Sequence, residues 1–374
     1  MAARSFNIPV TNIDGLVRPL AAIRSDVPTP SGGLVFVSGA PTQDLGPIAD
    51  QVRHAWKGVP VCVVPAAGVL TERGEVEGSA AVAGILWSGG KVVPLVVNDG
   101  SPATALRDAI VEATAGRTAT VILFPRADFA PELLEGLGTA APGVRLFGAG
   151  TVGGPALTLT ATGEMKRGRA AGLVLLGSAP PLVESSSACR LLSPLRRIDE
   201  TSGGMVLSID GTPALDLLSS CAPGLRDVGS GGPPPVVFAA LADTDDDRYV
   251  IRPVRGIDPA RRGILIGADA RPGLRLAFAV RDAAAARAGL EASARSLAQQ
   301  ALGAAPRFAI YLTCAGRGQG LYGAQDVEAR ILRHRFGDLP IAGMHSAFEI
   351  TPWSKGESRV ALYTGVLALF RSPS

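Results

Sequence analysis

At 374 residues, 47% hydrophobic and only 18% charged, the chain is long enough for two cores and too apolar to carry a disordered tail. Its net charge of +3 comes from interspersed signs with no basic stripe, which argues against nucleic acid and anionic membrane surfaces as partners. Residues 1–18 lack a signal-like apolar core, and no apolar run reaches the roughly 18 residues of a spanning helix, so a soluble, cytoplasmic protein without membrane insertion is expected.

In chain order, residues 34–38 read as a strand, 48–56 as a helix and 61–64 as a second strand. The loop Pro65-Ala66-Ala67-Gly68 and a returning strand at 80–87 follow. The same parts recur at 119–124, 131–137 and 144–147, with the loop Gly148-Ala149-Gly150-Thr151 and a return at 170–176. Each return comes after a polar reversal with glycine, Arg73-Gly74-Glu75 and then Thr162-Gly163-Glu164, so a repeated β-α-β-β unit is expected.

The middle of the chain differs. Residues 187–192 and 205–209 read as strands, and the turn Gly211-Thr212-Pro213 leads into a short helix at 214–220, since proline suits a helix's first turn. A boundary at Pro180-Pro181 gives domains 1–181 and 182–374; the glycine- and proline-rich segment 223–235 is the alternative linker. Strands follow at 249–253, 263–267 and 274–280, and the alanine-rich 282–302 is a helix by propensity. Asp243-Thr244-Asp245-Asp246-Asp247 lacks the glycine and distal glutamate of a calcium loop and reads as a solvated turn.

A third copy of the unit closes the chain. Residues 308–313 form an apolar strand, broken by glycines 316, 318 and 320. Val327, Ile331 and Leu332 define a helix over 326–335 with Glu328 and Arg330 outward or toward an edge, and Gly337 stops it. A strand at 339–342 runs into a loop over 343–350, and 360–370 returns as one long strand. The fold class is therefore α/β or α+β: two domains of mixed β-sheets covered by helices, built from repeated β-α-β-β modules.

Two charged residues stand at the ends of these strands. Arg317 offers a fork for a carboxylate and Glu349 an acceptor for an ammonium, so together they can grip both ends of an amino acid; the alternative is that they pair with each other as a buried ion pair. Cys314, Gly316, Gly343 and His345 complete the candidate ligand site. Arg252 is either a second cationic contact or a surface residue. Cys314 becomes a nucleophile only if a base such as His345 faces it, and a buried thiol is the commoner outcome. No catalytic set emerges. Cys62, Cys189, Cys221 and Cys314 are widely spaced without a Cys-x-x-Cys pair, which leaves free thiols and no metal motif. Gly316-Arg317-Gly318-Gln319-Gly320 lacks the lysine and Ser/Thr of a phosphate-binding loop.

Taken together, Ile209-Asp210-Gly211-Thr212-Pro213-Ala214, residues 249–253, Cys314-Ala315-Gly316-Arg317, and Pro340-Ile341-Ala342-Gly343 followed by Glu349-Ile350 resemble the FIST family, with N-terminal and C-terminal FIST domains. The N-terminal half resembles it more loosely, through Gly68 and Gly148-Ala149-Gly150. The resemblance implies a non-catalytic intracellular sensory module that binds a small ligand, amino acids being the proposed class. It would report through a signalling partner such as a kinase, chemoreceptor, cyclase or F-box protein. It implies no obligatory cofactor, although haem binding through a histidine in some members makes His345 a candidate axial ligand. This chain has Phe348-Glu349-Ile350 where the family has Gly-Glu-Ile, and Leu362-Tyr363 where an asparagine commonly precedes the last threonine. The rival readings are a hydrolase or transferase on Cys314 with Glu349 as base, and a haem-based gas sensor.

Overall fold

The computed structural model describes residues 2–102, 104–222, 236–243, 248–267, 269–353 and 356–372. The chain forms two compact units: Met1–Ser186 with Arg287–Val360 and Thr364–Ser374, and Ser187–Ala286 with Ala361–Tyr363. The sequence expectation of two consecutive halves meeting at 181 does not describe these units. The alternative linker at 223–235, and all of the acidic turn except Asp243, lie outside the described residues.

Among the described residues, the first unit holds three six-stranded sheets of one topology. In the first, Pro30–Ser38 and Val61–Pro65 run parallel across the Gly46–Ala55 helix, and Ala81–Ser88 returns antiparallel to Pro30–Ser38. Ala119–Pro125, Val144–Ala149 and Ala170–Leu176 repeat this in the second sheet, and Pro306–Cys314, Ile341–Ser346 and Thr364–Arg371 in the third. One further strand flanks each return: Ala3–Pro9, Lys91–Val97 and Leu182–Ser187. The three copies of the unit expected from sequence are thus all present.

The outer edge of each second strand is covered by a hairpin from another copy. Gly68–Thr71 and Gly74–Glu77 leave the first copy to pair with Ile341–Ser346 in the third sheet. Leu157–Leu159 with Met165–Arg167 leaves the second for Val61–Pro65, and Glu349–Pro352 with Ser358–Ala361 leaves the third for Val144–Ala149. Each parallel pair would otherwise end in an unpaired edge, so the cyclic exchange satisfies all three edges at once. It also binds the copies into one core, where aromatic pairs join the sheets: Phe36 with Phe124 at 5.9 Å, Phe147 with Phe370 at 6.4 Å, and Trp87 with Phe308 at 5.6 Å.

Several local expectations change. The helix over 131–137 is a 3₁₀ turn, Pro131–Leu134, and a single α turn, Leu137–Ala140, separated by Gly136 at φ 72°. The return at 360–370 is two strands, broken where Tyr363 takes φ 53°. The loop over 343–350 is largely strand, which places Gly343 and His345 inside the sheet. The N-terminal strand Ala3–Pro9 and the helices Val17–Asp26 and Ala105–Thr114 add to the elements read from sequence.

The second unit is antiparallel. Its strands run Tyr249–Pro253, Val237–Ala242, Arg275–Arg281, Arg196–Ser202, Met205–Ile209, Gly263–Leu265 and Gly256–Asp258, over a core that includes Phe238, Ile251 and Ala277. Asp210 and Gly211 at φ 46° and 71° make the two-residue turn that Asp-Gly favours, and Pro213 stands at the N-cap position of the Ala214–Cys221 helix, just before its first turn. The Ile209–Ala214 motif is therefore a hairpin followed by a helix entry, and its residues are explained by backbone geometry.

Candidate functional site

The third sheet of the first unit carries most of the charged residues singled out from sequence. Strand alternation assigns their faces. Ala309, Tyr311, Leu70, Ile341 and Leu367 form one apolar cluster, with Leu290, Ala294 and Leu297 of the Ala283–Gln300 helix and Leu332 of the Val327–Phe336 helix packed on it. Thr313 and His345, directly opposite each other, continue that face to the C-terminal ends of the parallel strands. Ile310, Leu312, Met344 and Val366 face the central core, and Cys314 and Ser346 extend that side.

Arg317 follows the Pro306–Cys314 strand in a 3₁₀ turn and is fully buried. Its Nε donates to Glu328 Oε1 at 2.8 Å, and its Nη1 to the Ser186 carbonyl at 2.9 Å. Glu328 also accepts from the Tyr322 hydroxyl at 2.7 Å and from Thr313 Oγ1 at 2.9 Å. Burial works against the Arg317 charge, and Glu328 more than offsets it, holding the guanidinium above its usual range. Burial likewise pushes the Tyr322 phenol up, with the Glu328 charge adding to it.

Glu349 is equally buried but belongs to a different cluster. Its Oε1 lies 2.7 Å from Ser346 Oγ, on the central side of the sheet, and its Oε2 accepts the Thr364 N–H at 3.2 Å. Ser346 Oγ also lies 3.0 Å from the Thr313 carbonyl. One hydroxyl hydrogen cannot serve two acceptors. A proton on Glu349 resolves this, with the carboxyl donating to Ser346 and Ser346 donating to Thr313. The electrostatics agree: burial raises the Glu349 carboxyl well above the usual range, and Ser346 and Thr364 only partly oppose it.

Arg317 and Glu349 therefore do not form the expected gripping pair, nor do they pair with each other. The carboxylate partner of Arg317 is Glu328, expected outward or toward an edge but fully buried. Sequence reading missed it because its helix packs that face down, and the periodicity of Val327, Ile331 and Leu332 does not distinguish a buried carboxylate from a rim one.

The remaining candidates are placed as follows. A Cβ at Gly343 would sit 2.0 Å from the Tyr311 carbonyl, as one at Gly148 would sit 1.9 Å from that of Leu123, so Gly343 permits close strand pairing in its copy. Gly316 lies half-buried in the turn before Arg317. Arg252 belongs to the second unit, in an ion pair with Asp269. Cys314 is buried, and strand alternation puts it on the opposite side from His345, so no imidazole base reaches it. In the folded protein, iodoacetamide is expected to label the half-exposed Cys221 first, with Cys62, Cys189 and Cys314 reacting on unfolding. Labelling of Cys314 in the folded protein faster than a free thiol would restore the nucleophile reading.

His345 is 1% exposed, in a row across three strands: it faces Gly68, and Gly68 faces Glu77. Its Nε2 is 3.4 Å from Glu75 Oε2. Glu75 Oε1 accepts the Glu328 and Ala329 N–H groups at 2.9 Å, capping the Val327–Phe336 helix, while Asp326 Oδ1 accepts the Glu75 N–H at 2.6 Å. Burial opposes a charge on His345, and Glu75 overcomes this and raises its basicity. Haem does not fit here, because the ring's neighbours are the carboxylates Glu75, Glu77 and Glu328, and a haem ligand needs an open apolar slot beside its free nitrogen.

Among the described residues, no helix is long and apolar enough to cross a membrane. The FIST N domain is matched over residues 32–212 and the FIST C domain over 219–352. An uncharacterized protein of Mycobacterium tuberculosis is 29% identical over 246 residues, 64% of this chain and 64% of its own length. One of Mycobacterium bovis is 31% identical over 195 residues, 50% of this chain and 49% of its own. With both domains matched in order, the chain belongs to the FIST family, whose domains are sensory domains of signal transduction.

Proposed function

We propose that this chain is a non-catalytic intracellular sensor whose ligand is a small molecule bearing an ammonium group, an amino acid being the simplest, and that it signals through a separate protein. The observation that carries this reading is the charge balance at the C-terminal ends of the third sheet's parallel strands. Glu75 and Glu328 are buried there against His345 and Arg317, and Glu77 adds a further half-buried carboxylate. Burying such a network costs stability that an apolar core would not, so it is retained for a use other than holding the fold together. Strand C-terminal ends are also where α/β sheets place ligands. Surplus carboxylate favours the ammonium end of a ligand over the carboxylate end.

A thermal-shift screen tests the reading. Amino acids and the matching amines are expected to raise the melting temperature, the corresponding carboxylic acids are not, and mass spectrometry should recover the ligand unmodified. Saturation at about 100 times Kd adds about 2.7 kcal/mol of apparent stability. If neither amino acids nor amines stabilise the protein, or if the bound molecule is turned over, the reading fails.

A further inference from the structure

We propose that Glu75, Glu77 and His345 form a binding site for one divalent first-row metal ion, with zinc the best match to an imidazole and two carboxylates. One donor atom from each residue lies within 4.8 Å of the others. Both ring nitrogens of His345 lack a hydrogen bond although the residue is 1% exposed, and the nearer one turns toward Glu75. A buried imidazole whose polar contact is one long ion pair with Glu75 is poorly satisfied, and a metal ion is the partner that suits one surrounded by carboxylates.

The surroundings have the features of a built site. Each carboxylate is oriented from behind by backbone: Glu75 through the Glu328 and Ala329 N–H groups, and Glu77 through the Gln319 N–H at 2.9 Å. Two glycines keep the space clear. A Cβ at Gly68 would lie 2.9 Å from His345 Cδ2, and one at Gly318 would lie 2.1 Å from Glu77 Oε2. A divalent ion would neutralise the two carboxylates, and three protein ligands leave a position open for water or a solute. Sequence spacing conceals all this, because the carboxylates come from the first copy's hairpin and the histidine from the third copy's strand. The inference shares Glu75 and Glu77 with the ammonium reading, and the two are told apart by titrating the metal alone, without an amine.

The full chain, stripped with chelator and titrated with Zn²⁺ by calorimetry, is expected to bind one equivalent, and Co²⁺ to give the visible absorption of an N/O-ligated ion. Glu77→Gln, which keeps an acceptor for Gln319, is expected to weaken Zn²⁺ at least about ten-fold while circular dichroism shows it folded. His54, His334 and His345 are the histidines of the chain, so NMR of the wild type gives a reading that needs no variant: Co²⁺ should shift the His345 ring signals first. Failure to bind an equivalent overturns the proposal and leaves a protonated His345 paired with Glu75. Binding unchanged in a folded Glu77→Gln, or shifts confined to His54 and His334, overturns it as well.

Discussion

Arg317→Ala is expected to destabilise the protein by about 3–5 kcal/mol, because it leaves the fully buried Glu328 without its countercharge. Folded domains hold about 5–15 kcal/mol in all, so the variant should melt far below the wild type. Arg317→Lys should recover little, since a single ammonium cannot reproduce a guanidinium that reaches Glu328 through Nε and the Ser186 carbonyl through Nη1. The decisive measurement is a double-mutant cycle by denaturant unfolding. Arg317→Ala with Glu328→Gln should cost well below the sum of the singles, since the second change removes the charge that the first leaves stranded. Additive costs would show that the pair is not the unit described.

The same pair marks the limit of what the sequence carries. Pattern alone located the strand before Cys314, the helix after it and the parallel strand beyond, because hydrophobic period and glycine breaks are local properties. Repetition of that order was also legible, and it extends to three whole copies. Partner choice was not. Arg317 and Glu349 sit near consecutive strand ends, which invites pairing them, yet strand alternation turns the site two ways: Glu328 joins Thr313 on the helix-covered side and Glu349 joins Ser346 on the core side. A loop assigned over 343–350 hid that alternation, and recovering Ile341–Ser346 as strand is what separates Cys314 from His345.

Hairpin exchange was invisible for a different reason. Arg73-Gly74-Glu75 signals a reversal, and nothing near it tells which sheet the hairpin will join. In the structure it caps a strand roughly 270 residues later, and so delivers Glu75 and Glu77 to His345. Exchange also explains why the site needs more than one copy of the repeat. The third copy contributes Arg317, Glu328 and His345, and the first contributes the two carboxylates that complete the cluster. A truncated chain limited to the C-terminal half would therefore lack both the hairpin and the edge pairing it provides.

Glu349 gives the clearest dependence on pH. Its folded carboxyl is raised by burial, with Ser346, Thr364 and Arg317 opposing and Glu328 reinforcing the shift. The folded state therefore holds a proton that the unfolded state releases near pH 4.3, about the ordinary glutamic acid value. The stability this provides is complete below that pH and is lost progressively as pH rises toward the folded value. Glu349→Gln fixes the neutral form, with its amide donating to Ser346 and its carbonyl accepting from Thr364. Relative to wild type, the variant should thus gain stability from about pH 4 upward, by about 1.4 kcal/mol for each pKa unit by which folding raises the carboxyl. Urea midpoints measured from pH 4 to pH 8 would show the difference growing and then levelling at the folded pKa. A constant offset across that range would mean that Glu349 is ionised, with Ser346 donating to it and the Thr313 carbonyl left without that bond.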